Sequence, residues 1–373
     1  VDKNQQSKTY HRVKILLFFL SLLTYIIVFA VFIAGGLSVS LRDFSLSLFT
    51  NPFLVILIYT GVLGMVLYWV DFPIRFFEGF IWEHRFHLSN QKFPQWLADD
   101  LKKAFISGLV ILALVEVVYV FLRNFPLYWW AGAGLFWLLL TLFLAKITPN
   151  VLVPLFYKYS PITSQDLRNN ILRLFKEGGV AIKDAYAVNF STKTKKANAF
   201  ICGLGKNRRV VLSDTLIEKF SIPEIEAVVA HEMGHYRNHD VLRLTVVYFL
   251  TTFLGFYLID RLMHFFLSLL KLNRMDDIAL FPALALFFLL WSFITTPLLN
   301  AYSRAREEKA DAFSLRLTGK PDDFISMMEK LGAMNLAEFD PGIFVEYFFY
   351  DHPPIGKRIR FAKYFFEEDH LKK

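Results

Sequence analysis

The sequence predicts an α-helical multi-pass membrane protein of about six spans with a membrane-adjacent α+β domain, and three observations predict it. Of 373 residues, 55% are hydrophobic and 41 are phenylalanine, with a mean hydropathy of +0.40. That is more apolar side chain than a water-exposed fold of this length can hide. Charged residues, 20% of the chain, gather in a few segments between long uncharged runs, so a polar domain remains beside the bilayer. That polar block contains the run H-E-M-G-H at 231–235.

The elements follow in order. Residues 15–36 are uncharged and long enough to cross a bilayer, and further apolar runs at 53–72, 105–122, 128–148, 241–264 and 279–300 complete six spans. The first run exceeds an ordinary signal-peptide core and is followed by more spans, so it reads as a membrane helix. Cations are many in the N-terminus, the 73–103 loop and the 151–240 region, and few in the intervening linkers. The positive-inside rule therefore puts both termini and the H-E-M-G-H helix on the cytoplasmic side. The net charge of +8 is explained by this topology, and no nucleic-acid-binding motif accompanies it.

Between the fourth and fifth spans, 164–177 has helical spacing and ends at Gly178-Gly179. Strand patterns follow at 185–190, 197–204 and 208–212, with a turn at 203–207, which together predict a small antiparallel sheet. Ser221, Pro223 and Glu224 then signal the start of a helix that carries His231 toward the fifth span. After the sixth span no breaker intervenes before Gly319, so that helix leaves the bilayer carrying Glu307, Glu308 and Asp311. The division expected is 1–150 for four membrane helices, 151–240 for the α+β subdomain, 241–300 for two further spans and 301–373 for a C-terminal helical subdomain.

On a helix His231 and His235 stand one turn apart on one face with Glu232 beside them. Two imidazoles can thus hold a metal while a carboxylate faces a bound water. The alternative is a polar helix face with capped histidines. Cys202 is the lone cysteine, so disulfides and thiolate zinc fingers are excluded and the metal would need histidine and carboxylate ligands. His239 is about 12 Å of helix rise from His231, too far to share the ion. A carboxylate on a second helix would complete the set, and Glu307, one turn before Asp311, supplies one with a second acid able to orient an imidazole. The alternative there is a solvated charged face. Glu116, an acid in the middle of the third span, reads either as facing a chamber or as an interhelical contact.

H-E-M-G-H at 231, E-x-x-A-D at 307–311 behind a span and H-P-P-x-x-x-R at 352–358 together resemble the M48 family of integral-membrane zinc metalloproteases, the Ste24-type CaaX prenyl proteases among them. W-E-H-R at 82–85 with Asp99-Asp100, P-L-F-Y-K at 154–158, N-A-F at 198–200 and R-R-V-V-L-S-D-T-L at 208–216 extend the resemblance in the same order. It implies a zincin-like domain, one Zn2+ per chain held by His231, His235 and Glu307, Glu232 as general base and Asp311 as the partner that orients a ligand. It further implies Asn198 and Ala199 on an edge strand that receives the substrate backbone, with His352 and Arg358 steadying oxyanion and substrate. The partners implied are the lipid bilayer and a peptide or protein substrate, prenylated if specificity follows the family, and no nucleic acid. Eukaryotic Ste24-type members have more spans and a longer chain, and Leu371-Lys372-Lys373 is no recognisable retrieval sequence. A bacterial inner-membrane protein is therefore expected, or an endoplasmic reticulum one if the host is eukaryotic. The runner-up is a membrane-protein quality-control protease without prenyl specificity.

Overall fold

The structure, a computed structural model, describes residues 3–203 and 208–371. Most of the turn expected at 203–207, and Lys372-Lys373, lie outside the described residues. Long apolar runs give long helices: α1 (Lys3–Ala34), α2 (Leu37–Leu48) and α3 (Pro52–Phe76). α3 continues through a π-helical turn into the short α4 (Glu83–Arg85), and α5 (Phe93–Asn124) and α6 (Trp129–Ile147) follow. α10 (Asp240–Leu270) and α11 (Phe281–Thr318) complete the membrane part. Among the described residues six helices are long and apolar enough to cross a bilayer, as the hydropathy pattern predicts. One hydrophobic core lies among them, around Tyr59, Tyr119, Trp129 and Ile259.

α11 has 38 residues. At 1.5 Å per residue that is about 57 Å, nearly twice the ~30 Å hydrocarbon thickness. Its residues 281–303 carry no charge, and Arg304 opens the charged section. One rigid rod therefore links the membrane bundle to the polar domain.

That domain has its own core, built from α7 (Gln165–Glu177), α8 (Asp214–Lys219), α9 (Ile222–Arg237), the end of α11 and α12 (Pro321–Asn335). α13 (Ile343–Phe349) and α14 (Ile355–Leu371) finish the chain. Strands β1 (Tyr159–Pro161), β2 (Asp184–Val188), β3 (Ala199–Cys202) and β4 (Arg209–Ser213) form one sheet in the order β1-β2-β4-β3. The sheet is mixed, with β2 parallel to β4 and the other pairs antiparallel. This corrects the all-antiparallel expectation: period-2 patterning marks strands but not their partners, and 189–198 carries the chain across to the far side of β4. β1 is only three residues long, too short to leave a periodic signal.

The helix bearing H-E-M-G-H does not run unbroken into the membrane. Asn238 ends α9, His239 takes a left-handed conformation at φ 54°, and Asp240 starts α10. A non-glycine residue in that region marks a deliberate change of direction.

Candidate metal centre

Ser221 and Glu224 begin α9 with a reciprocal capping box, Glu224 Oε2 accepting from the Ser221 N–H at 2.8 Å. α9 is then buried against α11, and the two backbones meet at Gly234, where a Cβ would lie 2.9 Å from Ala310 Cα. Only glycine allows this approach, which brings Glu307 opposite the histidine pair. Ser314 Oγ donates to the Ala227 carbonyl at 2.7 Å and fixes the helices against sliding.

The atoms that converge are His231 Nε2, His235 Nε2 and the two Glu307 oxygens. The two Nε2 atoms are 3.2 Å apart, His231 Nε2 is 3.3 Å from Glu307 Oε2, and His235 Nε2 is 3.1 Å from Oε1. A tetrahedral ion with ~2.0–2.1 Å bonds has edges of about 3.3–3.4 Å, so these residues fit zinc. Glu307 Oε2 is buried yet has no hydrogen-bond partner among the described residues. Its contact with His231 has the distance of a hydrogen bond without the direction, as expected where lone pairs converge on a cation.

Each imidazole is held from behind. His231 Nδ1 lies 2.8 Å from Asp311 Oδ1, and His235 Nδ1 lies 3.0 Å from Asp240 Oδ2. Each aspartate is in turn clamped by an arginine: the partly buried Arg358 reaches both Asp311 oxygens at 2.8 and 2.5 Å, and the buried Arg306 donates from Nε to Asp240 Oδ1 at 2.5 Å. Burial alone would depress the His231 pKa, but the carboxylates of Asp311 and Glu307 beside it lift it to about 9. Burial likewise works against His235, and Glu307 holds it above the ordinary imidazole range.

Glu232 stands beside the pair with no hydrogen bond or ion pair among the described residues. Burial pushes its pKa up, against the pull of His231 and His235. His352 overhangs the site, exposed, with Nδ1 2.7 Å from Asp351 Oδ1 and Nε2 3.4 Å from Glu307 Oε1. Partial desolvation of the ring pulls its pKa down, and Asp351 and Glu307 raise it above the ordinary imidazole range.

Residues 161–365 match the family model of peptidase family M48, and residues 1–158 match the model described as CAAX prenyl protease N-terminal, five membrane helices. The chain belongs to peptidase family M48. It is 31% identical over 361 residues to the uncharacterized metalloprotease YhfN of Bacillus subtilis (strain 168), covering 96% of this chain and 84% of that protein. Against CAAX prenyl protease 1 of Saccharomyces cerevisiae it is 26% identical, covering 84% and 73%. The crystal structure of S. mikatae Ste24p shares the fold at a TM-score of 0.87 and 21% identity, over 97% of this chain and 89% of that one. This M48 peptidase is thus an integral multi-pass membrane metalloprotease with a peptide or protein substrate, from a family whose metal is generally zinc.

Seven of the residues singled out in the sequence of this peptidase come together: His231, Glu232, His235, Glu307, Asp311, His352 and Arg358. Arg358, expected to face the substrate, spends its guanidinium on Asp311, with Nη2 also 3.3 Å from His231 Nδ1. Asn198 and Ala199 stand apart, at the start of edge strand β3, which packs against α9. Asp240 and Arg306 escaped sequence reasoning. On an unbroken helix Asp240 would point about 140° away from His235, five residues earlier. The turn at His239 brings it back.

Proposed function

We propose that this metalloprotease holds one zinc per chain on His231, His235 and Glu307 and cleaves peptide bonds at the cytoplasmic membrane face, with CaaX-type C-terminal processing as its specific role. The observation that carries the reading is the convergence of His231, His235 and Glu307 at tetrahedral spacing, with Glu232 beside them. Bound zinc supplies Lewis-acid activation of water and of the scissile carbonyl. Glu232, free of partners and with a raised pKa, takes the proton of the attacking water and delivers it to the leaving amine. His352 donates to the developing oxyanion from the exposed side. Asp311 and Asp240 hold the imidazoles in register.

β3 pairs with β4 on one side only. By the alternation of an antiparallel pair, Ala199 and Ile201 turn their main-chain groups to the open edge; the Ala199 N–H is taken by Asn198 Oδ1, and the Ala199 carbonyl and the Ile201 groups can receive an extended peptide as a strand. An apolar cavity of about 550 Å³ lies between the spans, lined by Leu63, Val118, Trp137, Phe256 and Phe288, and reaches Tyr248 and Leu299 on the helices that lead to Asp240 and Glu307. An apolar cavity among the spans favours a substrate with a lipid-modified tail. The cation distribution puts the site on the cytoplasmic side, and the relative from Bacillus supports a bacterial inner membrane. A second reading, quality control without prenyl specificity, draws on strand addition, which reads backbone rather than side chains. Cleavage of a farnesylated C-terminal peptide should exceed that of its unlipidated version and stop with a chelator. Equal rates would refute the prenyl reading. Glu232→Gln should keep zinc and lose cleavage.

A further inference from the structure

Residues 193–196, Lys-Thr-Lys-Lys, lead the chain into β3. Three lysines in four positions read as a solvated surface, yet two of them are tied to the membrane part of the molecule. Lys196 Nζ lies 3.0 Å from Glu83 Oε2 and 3.1 Å from Tyr10 Oη, and Tyr10 donates to Glu83 Oε1 at 2.5 Å. Lys193 Nζ donates to Asp99 at 2.5 Å and sits 4.8 Å over the Tyr157 ring. The main chain is held as well: the Asn90 N–H donates to the Lys193 carbonyl, the Lys195 N–H donates to the Leu88 carbonyl, and Ser89 bridges Thr194. Glu83, Asp99 and Tyr157 come from the W-E-H-R, Asp-Asp and P-L-F-Y-K stretches, for which the chemistry of the metal centre has no use.

The anchoring continues into the strand. The Ala197 N–H donates to Asn335 Oδ1 at 3.3 Å, the Asn198 N–H to Ser213 Oγ at 3.0 Å, and the Ala199 N–H to Asn198 Oδ1 at 2.8 Å. β3 has four residues and one partner strand, so its register is weakly defended by its own ladder. A slip of one residue would move the open edge by about 3.3 Å and turn every side chain to the other face.

We propose that Glu83 and Asp99 are positioning residues: α4, at the end of α3, grips Lys196 and the first turns of α5 grip Lys193, and together they set the register of β3 against α9. On the reading that β3 receives the substrate, this grip decides which peptide bond meets Glu232. It also makes α4 and α5 components of substrate placement, although neither contributes a group to the metal centre.

The test uses the full chain, zinc-loaded in detergent, with Glu83→Gln, Asp99→Asn and the exchanged pair Glu83→Lys with Lys196→Glu. In each single variant zinc content and kcat stay within about twofold while KM rises about tenfold, equivalent to ~1.4 kcal/mol. Products shifted by one residue appear in the mass spectrum, and hydrogen exchange quickens at the 197–202 amides but not in α9. The exchanged pair recovers part of KM and exchange, because Tyr10 Oη lies within reach of position 196 and can donate to a carboxylate there, while Lys14, 3.3 Å from Glu83, has Glu78 at 3.4 Å to turn to. Unchanged KM and exchange in both single variants would overturn the proposal, as would a fall in kcat in step with zinc. Should one single variant fail to fold, the other decides by the same criteria. Exchange is read without turnover, so a wild-type protein that cleaves nothing would sink the peptidase reading while the grip on β3 is still judged.

Discussion

Replacing Gly234 by alanine adds one methyl group at the closest point between the two helices that build the metal centre. The new Cβ would stand 2.9 Å from Ala310 Cα, 3.1 Å from the Ala310 oxygen and 3.2 Å from Phe313 Cβ. Carbon atoms settle at about 3.5–4.0 Å, so α9 and α11 must part by roughly 0.6 Å or more. Two of the three obstacles are backbone and cannot rotate away. Glu307 is one turn before Ala310 on the same helix and moves with it, whereas a metal site tolerates about ±0.2 Å in its ligand distances. Intrinsic helix propensity pulls the other way, favouring alanine by ~0.8–1.0 kcal/mol. Overpacking costs about 1–3 kcal/mol. The expected result is a net loss of stability near 1 kcal/mol by this difference, with zinc affinity weaker by roughly 10–100-fold. Chelator competition and thermal unfolding with and without zinc measure both. A Gly234→Ala protein with wild-type zinc affinity and a raised Tm would refute the reasoning, because propensity alone would then have decided the outcome.

Asp240→Ala should weaken zinc binding by about 10–100-fold through His235, since losing the partner of a ligand imidazole typically has that effect. It also leaves Arg306 buried without its carboxylate, so Asp240→Ala with Arg306→Met should be more stable in thermal unfolding than Asp240→Ala alone. The stabilisation zinc confers should shrink as pH falls, because protons compete for His231 and His235, both raised. In chelated protein the sign reverses. The raised His231 contributes stability that is fully present below about 6.5 and lost as pH rises through about 9. Thermal shifts with and without chelator across that window check both limbs. His352→Gln should lower kcat more than it alters KM and remove the alkaline fall in rate that deprotonation of the raised His352 causes in the wild type. A wild-type rate that is flat through that range would contradict a donor role.

The membrane architecture was legible in the sequence because an uncharged run long enough to cross a bilayer needs no partner to be recognised. The α7 and α9 starts were legible for a local reason too: Ser164 and Ser221 cap their helices within three residues. What depends on contacts distant in sequence was less visible. Glu307 could be nominated through its spacing to Asp311, but the glycine that lets it approach His231 carries no marker of its partner Ala310. Asp240 was hidden by the left-handed residue before it, since an i, i+5 acid is off-face until the helix breaks. The parallel pairing of β2 with β4 was invisible because strand periodicity is the same for either partner direction. The lysines of 193–196 read as solvated because Glu83 and Asp99, their carboxylate partners, lie about a hundred residues earlier.

The central claim is a metal centre split between α9 of the polar domain and the section of α11 that extends from the membrane bundle. Metal analysis of the purified full chain beside its Glu307→Ala variant tests it most directly. The account predicts one zinc per wild-type chain, and in the variant loss of that zinc with the fold retained by circular dichroism. Stoichiometric zinc held at wild-type affinity without Glu307 would contradict it.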